Sequence, residues 1–175
     1  MSDKIQRLKE LHESLKPQEL GGEFVPTGSP VQFEVMFVAE MPSMSEPKNS
    51  AEIGHNFSKS AYRGKFLTDM MTECGVAGSY ITDIVKERDI PRQPTRAEIE
   101  KWLPFLLQEV EIIQPKAIIV FGKRTYDASF RPFVEPHVPK HIKVDWVWHY
   151  SGHGAKSNDE IAQKFAEVIN RIKKP

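Results

Sequence analysis

The sequence predicts an α/β/α sandwich, a mainly parallel four-stranded sheet between helices. Two observations lead there. Short apolar or β-branched runs (Val31 to Val38, Tyr80 to Val85, Ala117 to Phe121, Val144 to Trp148) alternate with segments of helical periodicity, and such alternation implies βαβ crossovers in one sheet. The third run is apolar throughout, as strands covered on both faces are. A chain of 175 residues buries roughly 70% of its unfolded surface as one domain. The expectation is therefore a single domain over 1–175, with an N-terminal helix and loop over 1–30 and an α/β core over 31–175.

Each element has a local reason. Ile5, Leu8, Leu11 and Leu15 recur every three to four residues ahead of Pro17, the pattern of an amphipathic helix. Gly21, Gly22, Pro26, Gly28 and Pro30 make a loop before the first strand, which ends abruptly at Glu40-Met41-Pro42. A second loop containing Pro47, Asn49 and Gly54 leads to a helix through Phe66, Leu67, Met70, Met71 and Cys74, stopped by Gly75. Thr95-Arg96-Ala97-Glu98 is a capping box, and Ile99, Trp102, Leu103, Leu106, Val110 and Ile113 continue one helical face to Pro115. Gly122 ends the third strand, a short helix follows from about Lys123 to Phe130, and prolines 132, 136 and 139 mark the way to the fourth strand. Ser157-Asn158-Asp159-Glu160 caps a last helix carrying Ile161, Phe165, Val168 and Ile172.

Composition excludes several classes. The chain is 39% hydrophobic and 27% charged, near the average for globular domains and unlike disordered or coiled-coil proteins. Its longest apolar stretches are about five residues, as in Ala117 to Phe121, against roughly 20 residues needed to span a bilayer, and its charged N-terminus is unlike a signal peptide. A cytoplasmic location with no membrane partner is expected. The single cysteine, Cys74, excludes an intramolecular disulfide and a multi-cysteine metal site, and it reads as a packing residue. His55, His137, His141 and His153 read as surface residues without ligand spacing. Lys+Arg and Asp+Glu are 24 each, so the overall excess of positive charge typical of strong duplex binders is absent. The surplus is regional: residues 115–145 carry six positive and three negative charges, and 146–175 five and three. That third of the chain either faces an anion or is a solvated surface. Lys86, Arg88, Arg92 and Arg96 likewise read either as phosphate contacts or as a solvated face, since Glu87 and Asp89 interleave.

In open α/β sheets ligands bind at the carboxyl ends of the strands. Those ends carry Glu40, Asp83, Gly122 and His149. A carboxylate and an imidazole across a cleft suit hydrolysis through an oxocarbenium-like sugar, the carboxylate stabilising positive charge and orienting water while the imidazole donates to the departing group. By position alone both are equally ordinary capping residues.

These stretches resemble the motifs of the uracil-DNA glycosylase superfamily, in particular its bacterial and archaeal iron–sulfur branch. Val35 to Ser43 resembles the family's strand and Gly-Glu-Ala-Pro-Gly loop. Arg63-Gly64-Lys65-Phe66-Leu67 resembles its Ala-Gly-x-Leu-Leu helix start, and Tyr80-Ile81-Thr82-Asp83-Ile84-Val85-Lys86 its Tyr-Ile-Thr-Asn-x-Val-Lys strand. Pro94 to Pro104, Gln114-Pro115-Lys116 and the strand to Phe121-Gly122 follow in the family's order, and Trp148-His149-Tyr150-Ser151 resembles its His-Pro-Ser motif. The resemblance spans about residues 31 to 155 and implies the sandwich fold inferred above. It implies that Glu40 is the water-activating or charge-stabilising acid and that His149 stabilises the departing base anion. Asp83 falls on the residue that reads the base edge, and either Phe57 or Tyr62 on the aromatic that stacks on a flipped base; Met41 completes the candidate base site. Ser43, Ser151 and Lys123 are candidates for the DNA backbone. Base extrusion before glycosidic cleavage is what requires a stacking ring and a base reader in one pocket.

The departures from the family carry information of their own. Ala39 and Ser43 replace two glycines, Tyr150 replaces a proline, and Gly152-His153-Gly154 holds no apolar wedge to fill the gap left by a flipped base. Glu87 and Trp102 stand where the branch has cluster cysteines, and its N-terminal cysteine pair is missing. No iron–sulfur cluster or other cofactor is expected. Asp83 replaces Asn: a neutral amide satisfies uracil N3–H and O4 together, whereas an ionised carboxylate only accepts. Asp83 thus selects an exocyclic amino group, or takes uracil in its protonated form, or merely caps a loop. The leading expectation is a hydrolase that excises a deaminated or damaged base, uracil or a relative, from single-stranded or distorted DNA in base excision repair. The alternatives are a catalytically inactive nucleic-acid or nucleotide-binding module on the same fold, and an enzyme acting on free nucleosides. Oligomeric state is left open.

Overall fold

The computed structural model describes residues 3–14, 32–42, 63–87, 92–152 and 156–174. Four strands, β1 (Gln32–Ala39), β2 (Ser79–Asp83), β3 (Ala117–Phe121) and β4 (Lys143–Val147), form one sheet in the order β2-β1-β3-β4, every pair parallel. Helices α1 (Asp3–Glu13), α2 (Gly64–Glu73), α3 (Arg96–Ile113) and α6 (Asn158–Lys173) flank it. Between β3 and β4 the chain runs through α4 (Lys123–Thr125), a π-helical stretch (Tyr126–Phe130), α5 (Arg131–Phe133) and a 3₁₀ turn (Glu135–His137).

The predicted sandwich is what forms, and side-chain alternation along the strands shows why. Met36, Val38, Ile118 and Val120 pack on one face with Trp102, Leu106, Val110 and Ile113 of α3 and Leu8 of α1. Their neighbours Val35, Phe37, Ile119 and Phe121 pack on the other with Leu67 and Met70 of α2 and Phe165 and Val168 of α6. Successive residues of a strand point to opposite faces, so a central strand that is apolar throughout supplies both cores at once.

Both predicted capping boxes form. Thr95 accepts from the Glu98 amide while the Glu98 carboxylate takes the Thr95 N–H, and Ser157 and Glu160 do the same for α6. α3 runs unbroken through Pro104. The strand ends differ slightly from expectation. β4 begins at Lys143, whose N–H donates to the carbonyl of Lys116. β2 stops at Asp83, because beyond it the amides of Ile84 and Val85 turn to the carbonyls of Ala39 and Glu40. Cys74 is only partly buried, at the end of α2. His137 and His141 are exposed; His55 and His153 lie outside the described residues. No helix among the described residues is long and apolar enough to cross a membrane.

Candidate functional site

Because all four strands are parallel, their carboxyl ends share one edge of the sheet. Read across it in strand order, the residues are Asp83 on β2, Glu40 beyond β1, Gly122 beyond β3 and His149 beyond β4. Ala39 is in register with Asp83, and Phe121 with Val147. The Glu40 position is thus set between that of the base-edge candidate and that of the imidazole.

Glu40 is half-buried, and its Oε1 accepts a 2.8 Å hydrogen bond from the hydroxyl of Ser129. Ser129 is 3% exposed and sits in the π-helical stretch. A π turn widens the helix and shifts the side chains that follow it, and such turns recur at functional sites. The main chain of Glu40 is held as well, its carbonyl accepting from Val85 N–H at 3.0 Å. Ser129 was not a candidate from sequence, where it reads as one polar residue among the apolar positions of a short helix.

His149 is fixed by Ser151. The Ser151 amide donates to His149 Nδ1 at 3.2 Å, and the Ser151 hydroxyl lies 2.7 Å from the same nitrogen. An amide N–H can only donate, so Nδ1 is the acceptor and the proton of the neutral ring sits on Nε2. The ring stacks on Tyr150 at 4.8 Å and meets Phe121 edge-on at 6.2 Å. Tyr150, where the resemblance expects proline, is buried and supports the imidazole from one side. Gly122 turns the chain out of β3 with φ +95°, and a Cβ there would lie 3.7 Å from His149 Cβ. The positive φ is what glycine supplies at this turn.

Asp83 is 2% exposed, and its carbonyl is gripped by the Lys86 ammonium. Met41 follows Glu40, partly buried against the core on the α3 side. Lys123 pairs with Asp127 and lies over the ring of Trp146, and Ser151 is turned to His149. Phe57, Tyr62 and Ser43 fall outside the described residues.

Lys86 corrects the sequence reading outright. Taken with Arg88, Arg92 and Arg96 as a phosphate-contacting or solvated run, it is instead fully buried. Its ammonium bonds Glu109 Oε2 at 2.8 Å, beside Tyr80 and His12. Burial alone would push the Glu109 carboxyl up; the Lys86 charge and the hydrogen bonds from His12 and Lys86 outweigh it and hold the group below the usual range. Burial first, and then the adjacent Glu109 charge, push the Tyr80 phenol well up. Of the same run, Arg92 pairs with Glu98 and Arg96 with Glu100, both exposed.

The positions that the family resemblance aligns with cluster ligands do not fit an iron–sulfur cluster. Glu87 is paired with Lys101 on the surface of α3. Trp102 is 4% exposed and packs edge-on against Phe105 at 6.2 Å. Neither supplies a thiolate, the ligand such clusters require. Among the described residues no group of three His, Cys, Asp or Glu side chains is placed to hold a metal ion.

Comparison with known proteins shows the family. The chain is 37% identical over 101 residues to a type-4 uracil-DNA glycosylase of Pyrobaculum aerophilum, covering 56% of this chain and 48% of that protein. It is 33% identical over 113 residues to one of Archaeoglobus fulgidus (63% and 54%) and 33% identical over 123 residues to one of Sulfurisphaera tokodaii (67% and 53%). The chain thus spans about half the length of the curated relatives it matches. The profile of the uracil DNA glycosylase superfamily matches residues 25–172, which takes in all four strands and the Glu40, Asp83 and His149 positions, and by that match the chain belongs to the uracil-DNA glycosylase superfamily.

Proposed function

We propose that this chain hydrolyses the N-glycosidic bond of a deaminated or damaged base in single-stranded or already distorted DNA, the first chemical step of base excision repair, without an iron–sulfur cluster. One observation supports this above others: the two strand-end groups are each held by a serine. Ser129 donates to Glu40 and fixes its side chain, and Ser151 leaves His149 with its proton on Nε2.

The chemistry is as follows. The bond between C1′ and the base nitrogen breaks with its electron pair leaving on the base. Glu40 offsets the positive charge that develops on the sugar and orients a water whose oxygen adds to C1′, the water's proton passing to the carboxylate or to solvent. His149 Nε2–H donates a hydrogen bond to the departing base anion, stabilising charge that exists only late in the reaction. Asp83 receives the base edge, and as an acceptor it favours a base that presents an amino group.

The test is base release from end-labelled single- and double-stranded oligonucleotides containing uracil, hypoxanthine, xanthine or cytosine, with abasic sites cleaved by alkali. Loss of a measured release in both Glu40→Ala and His149→Ala supports the reading, and no release from any substrate by folded protein ends it. Metal and acid-labile sulfide analysis of protein purified without oxygen tests the cluster; stoichiometric iron contradicts that part.

A second reading is favoured by one feature, the stacked and buried Tyr150 beside His149. A binding module on the same fold keeps the base pocket while a buried ring stacked on the imidazole stands where the resemblance expects proline. It predicts oligonucleotide binding that survives His149→Ala with no release at all.

A further inference from the structure

Lys86 has no part in the chemistry above, yet its surroundings are the most polar in the core. Among the described residues its ammonium bonds Glu109 Oε2 at 2.8 Å, Thr82 Oγ1 at 2.6 Å and the main-chain carbonyl of Asp83. Glu109 in turn accepts from Tyr80 at 2.5 Å and from Thr82 at 3.0 Å, with His12 Nε2 at 3.3 Å. Both charged side chains are fully buried.

A buried ion pair is a poor means of stabilising a core, since apolar residues of similar volume commonly do as well or better. What an apolar pair cannot supply is the third bond, to the carbonyl of Asp83. The next two amides of the same stretch, Ile84 and Val85, donate to the carbonyls of Ala39 and Glu40 at 2.9 and 3.0 Å. The main chain that Lys86 grips is therefore bonded directly to the main chain of the candidate catalytic acid.

We propose that Lys86, anchored on Glu109, is a positioning residue that fixes the end of β2 against the end of β1 and so sets the spacing between Asp83 and Glu40 on which base recognition depends. The inference rests on the roles given to Asp83 and Glu40 under the proposed function. It assigns to the ion pair a task in specificity rather than in folding alone.

Lys86→Met by itself strands the Glu109 charge in the core and destabilises the protein whatever the lock does. The double variant Lys86→Met/Glu109→Leu removes both charges at similar volume and separates the two roles. It takes the Glu109 acceptor from the buried Tyr80 and Thr82 hydroxyls and so is expected to unfold cooperatively at a somewhat lower Tm, while amide exchange at Ile84 and Val85 speeds up by about tenfold relative to Ile119 in β3. In the base-release assay KM is expected to rise by about tenfold with kcat little changed, and the preference between bases to narrow. A folded double variant in which exchange at Ile84 and Val85 relative to Ile119 is native overturns the proposal, whatever its Tm, and leaves the pair a purely structural one. If the double variant does not fold, Glu109→Gln weakens the anchor at the same size; because it also leaves the buried Lys86 charge without its counter-charge, exchange at Ile84 and Val85 is read relative to Ile119, the same acceleration is expected, and an unchanged ratio overturns the proposal. Exchange is read without substrate, so a native chain that releases no base ends the glycosylase reading while the lock is still decided by the amides.

Discussion

Ser129 donates a 2.8 Å hydrogen bond to Oε1 of Glu40 from 89 residues further along the chain. The donor comes from the face of the π-helical stretch turned toward the sheet edge, and it is buried. Hydrogen bonds to charged groups contribute about 1.5–3 kcal/mol. If that bond fixes the carboxylate for the transition state, Ser129→Ala lowers kcat by roughly tenfold to a hundredfold while KM stays within about twofold. Ser129→Thr keeps the hydroxyl and recovers most of the rate. Steady-state kinetics on folded protein decide it: native kcat in Ser129→Ala means that Glu40 is held without this bond.

The contrast between Ser129 and the framework around it shows what a sequence exposes. β3 and both capping boxes are local signals, an unbroken apolar run and a Ser/Thr-x-x-Glu spacing, and they form where the residues predict. Glu40, Asp83 and His149 were legible for the same reason, since each stands at the end of a strand whose run is visible. Their partners were not. Ser129, Lys86 and His12 act across 89, 23 and 97 residues of sequence on Glu40, Glu109 and Glu109, and only the packing of helices on the sheet brings them there. Lys86 was misread because charges beside it alternate in sign, which looks the same for a solvated face and for one buried lysine on its border.

Asp83→Asn is the substitution that most directly tests base choice. The native carboxylate offers acceptors only, whereas the amide offers a donor as well. The variant is expected to favour uracil over an amino-bearing base by a factor of about 5 to 150 relative to the native chain, the range that one mismatched buried hydrogen bond of about 1–3 kcal/mol allows. Competition between two labelled oligonucleotides in one tube reads the ratio directly. An unchanged ratio would assign Asp83 to the loop alone.

Gly122 is required by backbone geometry as well as by its neighbours. At φ +95° an alanine is strained, and its Cβ would lie 3.3 Å from Thr125 Oγ1. Gly122→Ala is expected to cost about 1–3 kcal/mol, which for a chain of this size lowers Tm by roughly 2–12 °C. The strain falls beside His149, so catalysis is expected to suffer more than global stability does. Calorimetry together with kinetics at a temperature where the variant is folded separates the two effects, and full activity with a lowered Tm would place the strain away from the imidazole.

The capping boxes set an acid limit on the helices that carry this edge. Hydrogen bonds from Arg92 and from the Thr95 backbone and hydroxyl hold Glu98 down at about 2, and the Ser157 amide, Lys156 and the Ser157 hydroxyl hold Glu160 at about 2, from an ordinary value of 4.5. A carboxyl whose folded value lies below its unfolded one binds its proton more readily in the unfolded chain. Its stabilising contribution is therefore complete above pH 4.5 and is lost as pH falls from there toward 2. Both groups are exposed enough for solvent and salt to weaken the effect, so the expected signature is a trend rather than a large shift. Glu98→Gln and Glu160→Gln each lower Tm at pH 7 relative to the native chain, and the gap closes on going down toward pH 2. Thermal melts at several pH values in low salt measure that gap. A gap that is constant with pH would mean that the caps act through packing and geometry instead of charge, and the helices would then be no more sensitive to acid than the rest of the fold.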